Sequence, residues 1–118
     1  MLSREQAIKL AIIEFMKDVF TCQRHYRANV RNGNTLKFNT YMAILYMNRR
    51  YGLAPLKGDR ARVGRLISSI VQKLANEGYI DYSRKRATGV HHTTRYYIKP
   101  RKKAEEIIEF LNELAKSL

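Results

Sequence analysis

Ile70-Val71-Gln72-Lys73-Leu74-Ala75-Asn76-Glu77-Gly78-Tyr79-Ile80 is the stretch where the chain passes from helix to strand. Ile70, Val71 and Leu74 close an apolar stripe that begins with Val63, Leu66 and Ile67, the recurrence of a helix with one buried face. Gly78 stands just past the last turn, where a left-handed residue ends a helix. Tyr79-Ile80-Asp81-Tyr82-Ser83 is then rich in the aromatic and β-branched residues that suit a strand. Upstream, Asp59 reads as the N-cap, so a helix is expected over 60–77. At about 100° per residue its far side carries Arg62, Arg65, Ser68, Ser69, Gln72 and Asn76, with no acidic residue on that face before Glu77.

Downstream, Thr94-Arg95-Tyr96-Tyr97-Ile98 forms a second strand, closed by Pro100. Arg84-Lys85-Arg86 and the turn-prone Ala87-Thr88-Gly89 make a hairpin tip, with His91 and His92 just beyond. Half of a strand's side chains face the core, so packing accounts for most of Tyr79, Tyr82, Tyr96 and Tyr97. Stacking on bases is the other use of such rings. A final helix is expected over 101–117. It carries Ala104, Ile107, Leu111, Leu114 and Leu118 in a 4-3 pattern, with Ile108 and Phe110 alongside and Glu105, Glu106, Glu109 and Glu113 on the outer positions. Two heptads are too short to stand alone, so the stripe must dock on its own first helix or on a second chain. A homodimer is expected, because the hairpin domain has a complete core without this helix.

Toward the N-terminus, Leu53-Ala54-Pro55-Leu56-Lys57-Gly58 cannot be helical throughout. It follows a helix over 41–51, capped by Asn39 or Thr40 and ended by Gly52. That helix is apolar nearly all round, which implies burial on all sides. Thr35-Leu36-Lys37-Phe38 reads as a minimal strand. The first helix opens on a Ser3–Gln6 capping box and carries Ile8, Ala11, Ile12, Phe15, Met16 and Val19 on one face. Its stripe can continue through Cys22 and Tyr26 to Val30. An extended piece is the competing reading, because Tyr26, Ala28 and Val30 also alternate with Arg27, Asn29 and Arg31. The longer helix is the expectation.

The 118 residues hold 23 Lys and Arg against 10 Asp and Glu, a net charge of +13. Such an excess opposes folding by self-repulsion and commonly answers to a polyanion. Residues 23–58 carry +7, residues 79–103 carry +7, and residues 104–118 carry −3. A membrane-surface helix would instead gather its Lys and Arg opposite a single apolar face. No apolar run is long enough to span a bilayer, and the first residues do not read as a signal peptide, so a cytoplasmic protein is expected, nucleoid-associated where the polyanion is DNA. Cys22 is the only cysteine. Its Cys-x-x-His spacing with His25 lacks the second ligand pair that a metal site needs. The acids are few, and no convincing catalytic arrangement, carboxylate cluster or Gly-rich phosphate loop is present. No enzyme, cofactor, metal or small-molecule substrate is expected.

The order helix, short strand, helix, Pro/Gly connection, helix, Gly, hairpin, together with the segment from Ile70 to Ile80, resembles the winged helix-turn-helix family over residues 35–99. The connection between its second and third helices is longer than a three- or four-residue turn. The appended last helix and the basicity also resemble small archaeal or archaeal-virus DNA binders of this type. The resemblance implies an α+β, mostly helical fold, with a DNA-binding domain over 1–100 and a dimerisation helix over 101–118. It also implies that the third helix enters the major groove while the wing reaches phosphate or the minor groove. The residues agree. Arg60, Arg62 and Arg65 can fork to guanine or phosphate, Gln72 can pair with adenine, and Ser68 and Ser69 suit either. Lys57, Arg84, Lys85, Arg86, His91, His92 and Arg95 would hold the backbone. Ala104, Ile107, Ile108, Leu111, Leu114 and Leu118 would form the dimer contact, setting the two recognition helices roughly 34–36 Å apart. The expected partner is double-stranded DNA, in a transcriptional regulator or chromatin-associated protein. An RNA-binding or ribosome-associated module, or a protein-interaction domain of a transcription or replication assembly, would fit the same basicity.

Overall fold

The computed structural model describes residues 2–28, 33–86 and 93–117. The elements are α1 (Arg4–Thr21), α2 (Gln23–Tyr26), β1 (Leu36–Asn39), α3 (Thr40–Tyr51), α4 (Asp59–Asn76), β2 (Ile80–Arg86), β3 (Thr94–Pro100) and α5 (Ala104–Lys116). The three strands form one antiparallel sheet in the order β1-β3-β2. The fold is therefore α+β, with the helices packed on one face of a small sheet.

α1 begins as its capping box dictates. Ser3 Oγ accepts from the Gln6 N–H at 3.2 Å, and Gln6 Oε1 accepts from the Ser3 N–H at 3.1 Å. All six residues of the expected stripe are buried, and so are Ile13 and Phe20 on its flank. The helix is covered on more than one side because it touches α3, α4 and α5. Phe15 is the aromatic centre, meeting Tyr26, Phe38 and Tyr46 edge-on at 5.5–6.1 Å.

The expected run of α1 to residue 30 does not form. Cys22 leaves helical geometry, and its N–H is still bonded to the Asp18 carbonyl. The four residues of α2 then turn Tyr26 into the core, where its hydroxyl donates to Asp18 Oδ2 at 2.7 Å. Redirection lets Arg27 bridge Leu36 and lets the Ala28 N–H bond the Thr35 carbonyl at 2.9 Å, so the extended alternative holds for these two residues. Val30 lies outside the described residues. Burial, and next the Asp18 carboxylate, push the Tyr26 phenol far above its usual range, so the hydroxyl remains a donor. Tyr26→Phe is expected to cost about 1 kcal/mol in urea unfolding, the usual worth of one such bond.

Asn39, not Thr40, caps α3, with its Oδ1 accepting from the Met42 N–H at 2.8 Å. Burial all round is not what α3 shows. Thr40, Ala43, Ile44 and Met47 are buried, whereas Tyr41 and Tyr51 are exposed. α3 touches α1, α4 and β1 without being enclosed by them, so its remaining aromatics meet solvent.

α4 ends as expected. Gly78 takes φ 80°, its N–H bonds the Ala75 carbonyl, and the Tyr79 N–H reaches back to Leu74. This is the paired closure of a Schellman motif, which a Cβ at Gly78 would strain. The start of α4 differs. The N-cap is Gly58, in a left-handed conformation and without a side-chain cap. Asp59 is instead the first helical residue and only 2% exposed. Its Oδ2 accepts from the Leu56 N–H at 2.8 Å and from Arg4 Nη2 at 2.7 Å.

α5 turns its central residues into the chain's own core. Ile107 and Leu111 are completely buried within one chain, in the core that α1 dominates. Ala104, Ile108 and Leu114 are partly buried, and Leu118 lies outside the described residues. Phe110 packs on Tyr79 with ring centroids 4.8 Å apart. The covered flank of α1 and the centre of the α5 stripe thus meet within the chain. Among the described residues no helix is long and apolar enough to cross a membrane.

Candidate nucleic-acid interface

α4 presents two faces of opposite character. Val63, Ile67, Ile70, Val71 and Leu74 are buried, and Arg65, Ser69, Gln72 and Asn76 stand exposed on the far side. Leu66 is half-buried at the border nearest α1, where Glu5, Ile8 and Lys9 adjoin Arg62 and Arg65. Arg62 is exposed but leans toward the start of its own helix, with Nη1 3.8 Å from Asp59 Oδ1. The outward arc thus has Arg65, Ser69 and Gln72 in its middle and Arg62 at one margin.

The other margin belongs to the hairpin. Ser68 is half-buried, and its hydroxyl accepts from Arg84 Nη1 at 3.2 Å. Strand register explains why Arg84 makes this bond. Arg84 lies opposite Tyr96 and Arg86 opposite Thr94, and Tyr96 is buried. Alternation therefore puts Arg84 and Arg86 on the side of the sheet that α4 occupies. Lys85 lies opposite Arg95, and both belong to the reverse side. The four hairpin cations expected to act as one cluster are split into two pairs. His91 and His92 lie outside the described residues.

A depression of about 430 Å³ separates the start of α4 from β3, lined by Thr40, Gly58, Arg60, Ala61, Gly64, Thr93 and Thr94. Its floor is made of small side chains, and the first turn of α4 adjoins it. Such a turn attracts an anion through its amides and the helix dipole. Arg60 and Lys57 are both exposed at this end. Ala61, Gly64, Thr93 and Thr94 were not among the expected contacts. Gly64 one turn after Arg60 was the available signal, since a missing side chain on a helix face admits a close neighbour.

The electrostatics of the face follow from where its acids are. Asp59 is the acid in the first turn of α4, and it is buried. The Arg4 hydrogen bond and the Leu56 N–H hold its carboxyl below the usual carboxylate range, against the effect of burial. The outward face of α4 itself is thus cationic and polar along its length, with Glu5 of α1 the acid at its margin beside Arg62 and Arg65. Cys22 is a half-buried free thiol and His25 is exposed. Among the described residues no group of three His, Cys, Asp or Glu side chains is placed to hold a metal ion. Comparison with family models, curated proteins and solved structures yields no match for this chain.

Proposed function

We propose that the chain is a winged helix-turn-helix protein that binds double-stranded DNA, as a transcriptional regulator or chromatin-associated protein. The observation that carries this reading is the hydrogen bond between Arg84 and Ser68. It sets a basic hairpin directly beside the exposed Arg65, Ser69 and Gln72 of α4. The strand order β1-β3-β2 and the sequence of elements support the same reading. In it, α4 lies in the major groove with Arg65 and Gln72 toward base edges. Arg84 and Arg86 meet the phosphates on one side, and Lys57 and Arg60 meet them at the helix start.

Fluorescence anisotropy with labelled duplexes over a range of salt tests the proposal. If six to eight cations meet phosphates, log affinity should fall with log salt at a slope of about −5 to −7. Arg65→Ala should weaken binding by roughly 5- to 150-fold while leaving the thermal midpoint in place, because its side chain is exposed. A duplex RNA competitor should be weaker, since the deep, narrow groove of the A-form excludes a helix. Duplex DNA affinity that is absent at low salt, or indifferent to Arg65→Ala, would overturn the assignment.

A further inference from the structure

The reverse face of the sheet is a second charged surface that the α4 interface does not use. Leu36, Phe38, Ile80, Tyr96 and Ile98 are buried beneath the helices. The residues that alternate with them therefore point away, and the register aligns them in rows. Lys37, Tyr97 and Ser83 lie side by side across the three strands. Asn39, Arg95 and Lys85 form the next row toward the hairpin tip, and Lys99 lies opposite Asp81 in the row behind. Lys37, Lys85, Arg95 and Lys99 are exposed, and among the described residues none of the four is in an ion pair. Asp81, the one acidic residue in these strands, is neutralised by Arg101.

Tyr97 sits in the middle of this field, on the central strand, half-buried. It lines a shallow depression of about 250 Å³ with Thr35, Asp81, Tyr82, Ser83 and Lys99. The other tyrosines of the hairpin are engaged inward. Tyr96 stacks on Phe38 at 5.3 Å, Tyr79 is covered by Phe110, and Tyr82 packs against the core. By strand register Tyr97 alone of the four belongs to the outward rows, with Tyr82 bordering the same depression from the inward-facing row. A single aromatic ring ringed by lysine and arginine on a flat sheet suits an unpaired base with its phosphates on either side. A duplex offers no base face to stack on, so charge and ring together favour a single strand.

We propose that the outer face of the sheet, with Tyr97 at its centre and Lys37, Lys85, Arg95 and Lys99 around it, binds single-stranded nucleic acid by base stacking. The claim is independent of duplex binding by α4, and the two can fail separately. The full chain is titrated with a labelled short oligo(dT) and, in parallel, with a labelled duplex. Tyr97→Leu should raise the single-strand Kd by roughly 5- to 150-fold and leave the duplex Kd in place. Lys37→Glu with Lys99→Glu should weaken the single-strand complex and lower its salt slope by about 1.4, the share of two phosphates. Because Tyr97 is half-buried, Tyr97→Trp provides a check that does not depend on a loss. The chain has no other tryptophan, so stacking should quench its emission on addition of oligo(dT) while affinity is retained. Unquenched emission in the complex would overturn the proposal, as would Tyr97→Leu binding the single strand as the parent does. Equal weakening of duplex and single strand by the lysine changes, with Tyr97→Leu silent, would assign the face to duplex phosphates instead and equally overturn it.

Discussion

Leu111→Glu should abolish the native fold rather than separate a dimer into stable monomers. Leu111 is fully buried among residues of its own chain, in the seam between α5 and α1. The substitution removes an apolar side chain from a packed site and places a carboxylate where the parent residue has no exposure to solvent. Loss of the leucine alone is worth about 2–5 kcal/mol, and burying a polar group without partners adds more. A domain of this size has only about 5–15 kcal/mol in hand. Far-UV circular dichroism and a urea titration should therefore show a protein largely unfolded or with its midpoint far lower. Leu111→Ala should fold, with a midpoint reduced in keeping with about 3 kcal/mol. A well-folded Leu111→Glu protein, smaller than the parent by light scattering, would return α5 to the role of an interchain contact.

Asp59→Ala is expected to cost about 2–4 kcal/mol. Its carboxylate closes the connection before α4 by accepting from Leu56, and it fastens that connection to α1 through Arg4, which also donates to the Ala54 carbonyl at 2.6 Å. Removing one member of a buried pair costs more than the pair was worth, because the other is left desolvated. Arg4 is about one-third open to solvent, so the figure is set below that of a fully enclosed pair. Its Nε is already buried without a partner among the described residues, which makes it more dependent on Asp59. The pH dependence follows from a carboxyl held below its usual value. Its stabilisation is complete above the ordinary carboxylate pKa of about 4 and is lost as pH falls through the lowered folded value. Between about pH 4 and pH 2 the parent should lose stability more steeply than Asp59→Asn. Parallel urea midpoints across that range would show it, and identical slopes would mean that Asp59 is not held by Arg4.

These two residues also mark where reading from sequence stops. α4 and its Gly78 ending were legible because stripe and stop signal lie within one stretch of chain. The caps of α1 and α3 were equally local. Asp59 was legible as a helix start and not as a tertiary anchor, since its partner Arg4 is 55 residues away in sequence. The stripe of α5 announced burial without naming what would cover it. Local pattern fixes that a face is apolar, whereas the choice between one chain and two depends on the geometry of α1. The break at Cys22 was hidden because the apolar spacing continues through Tyr26, and the pairing of Arg27 with Leu36 that competes with a longer helix is not a local property. For the interface, the outward set on α4 was legible from periodicity. The division of Arg84 and Arg86 from Lys85 and Arg95 was not read from the sequence, which grouped all four; it follows from the strand register and from the burial of Ile80 and Tyr96.

The bridge from Arg27 to Leu36 has a consequence for how molecules of this protein meet one another. A three-stranded sheet has two open margins, each a template on which a foreign strand can add. On the β1 margin that template is partly occupied by Arg27 and Ala28. On the β2 margin it is studded with Arg84, Lys85 and Arg86, whose like charges repel a second copy. Copies brought to high local concentration, as the proposed binding to a polyanion would bring them, therefore meet without a free strand edge on which to fuse their sheets.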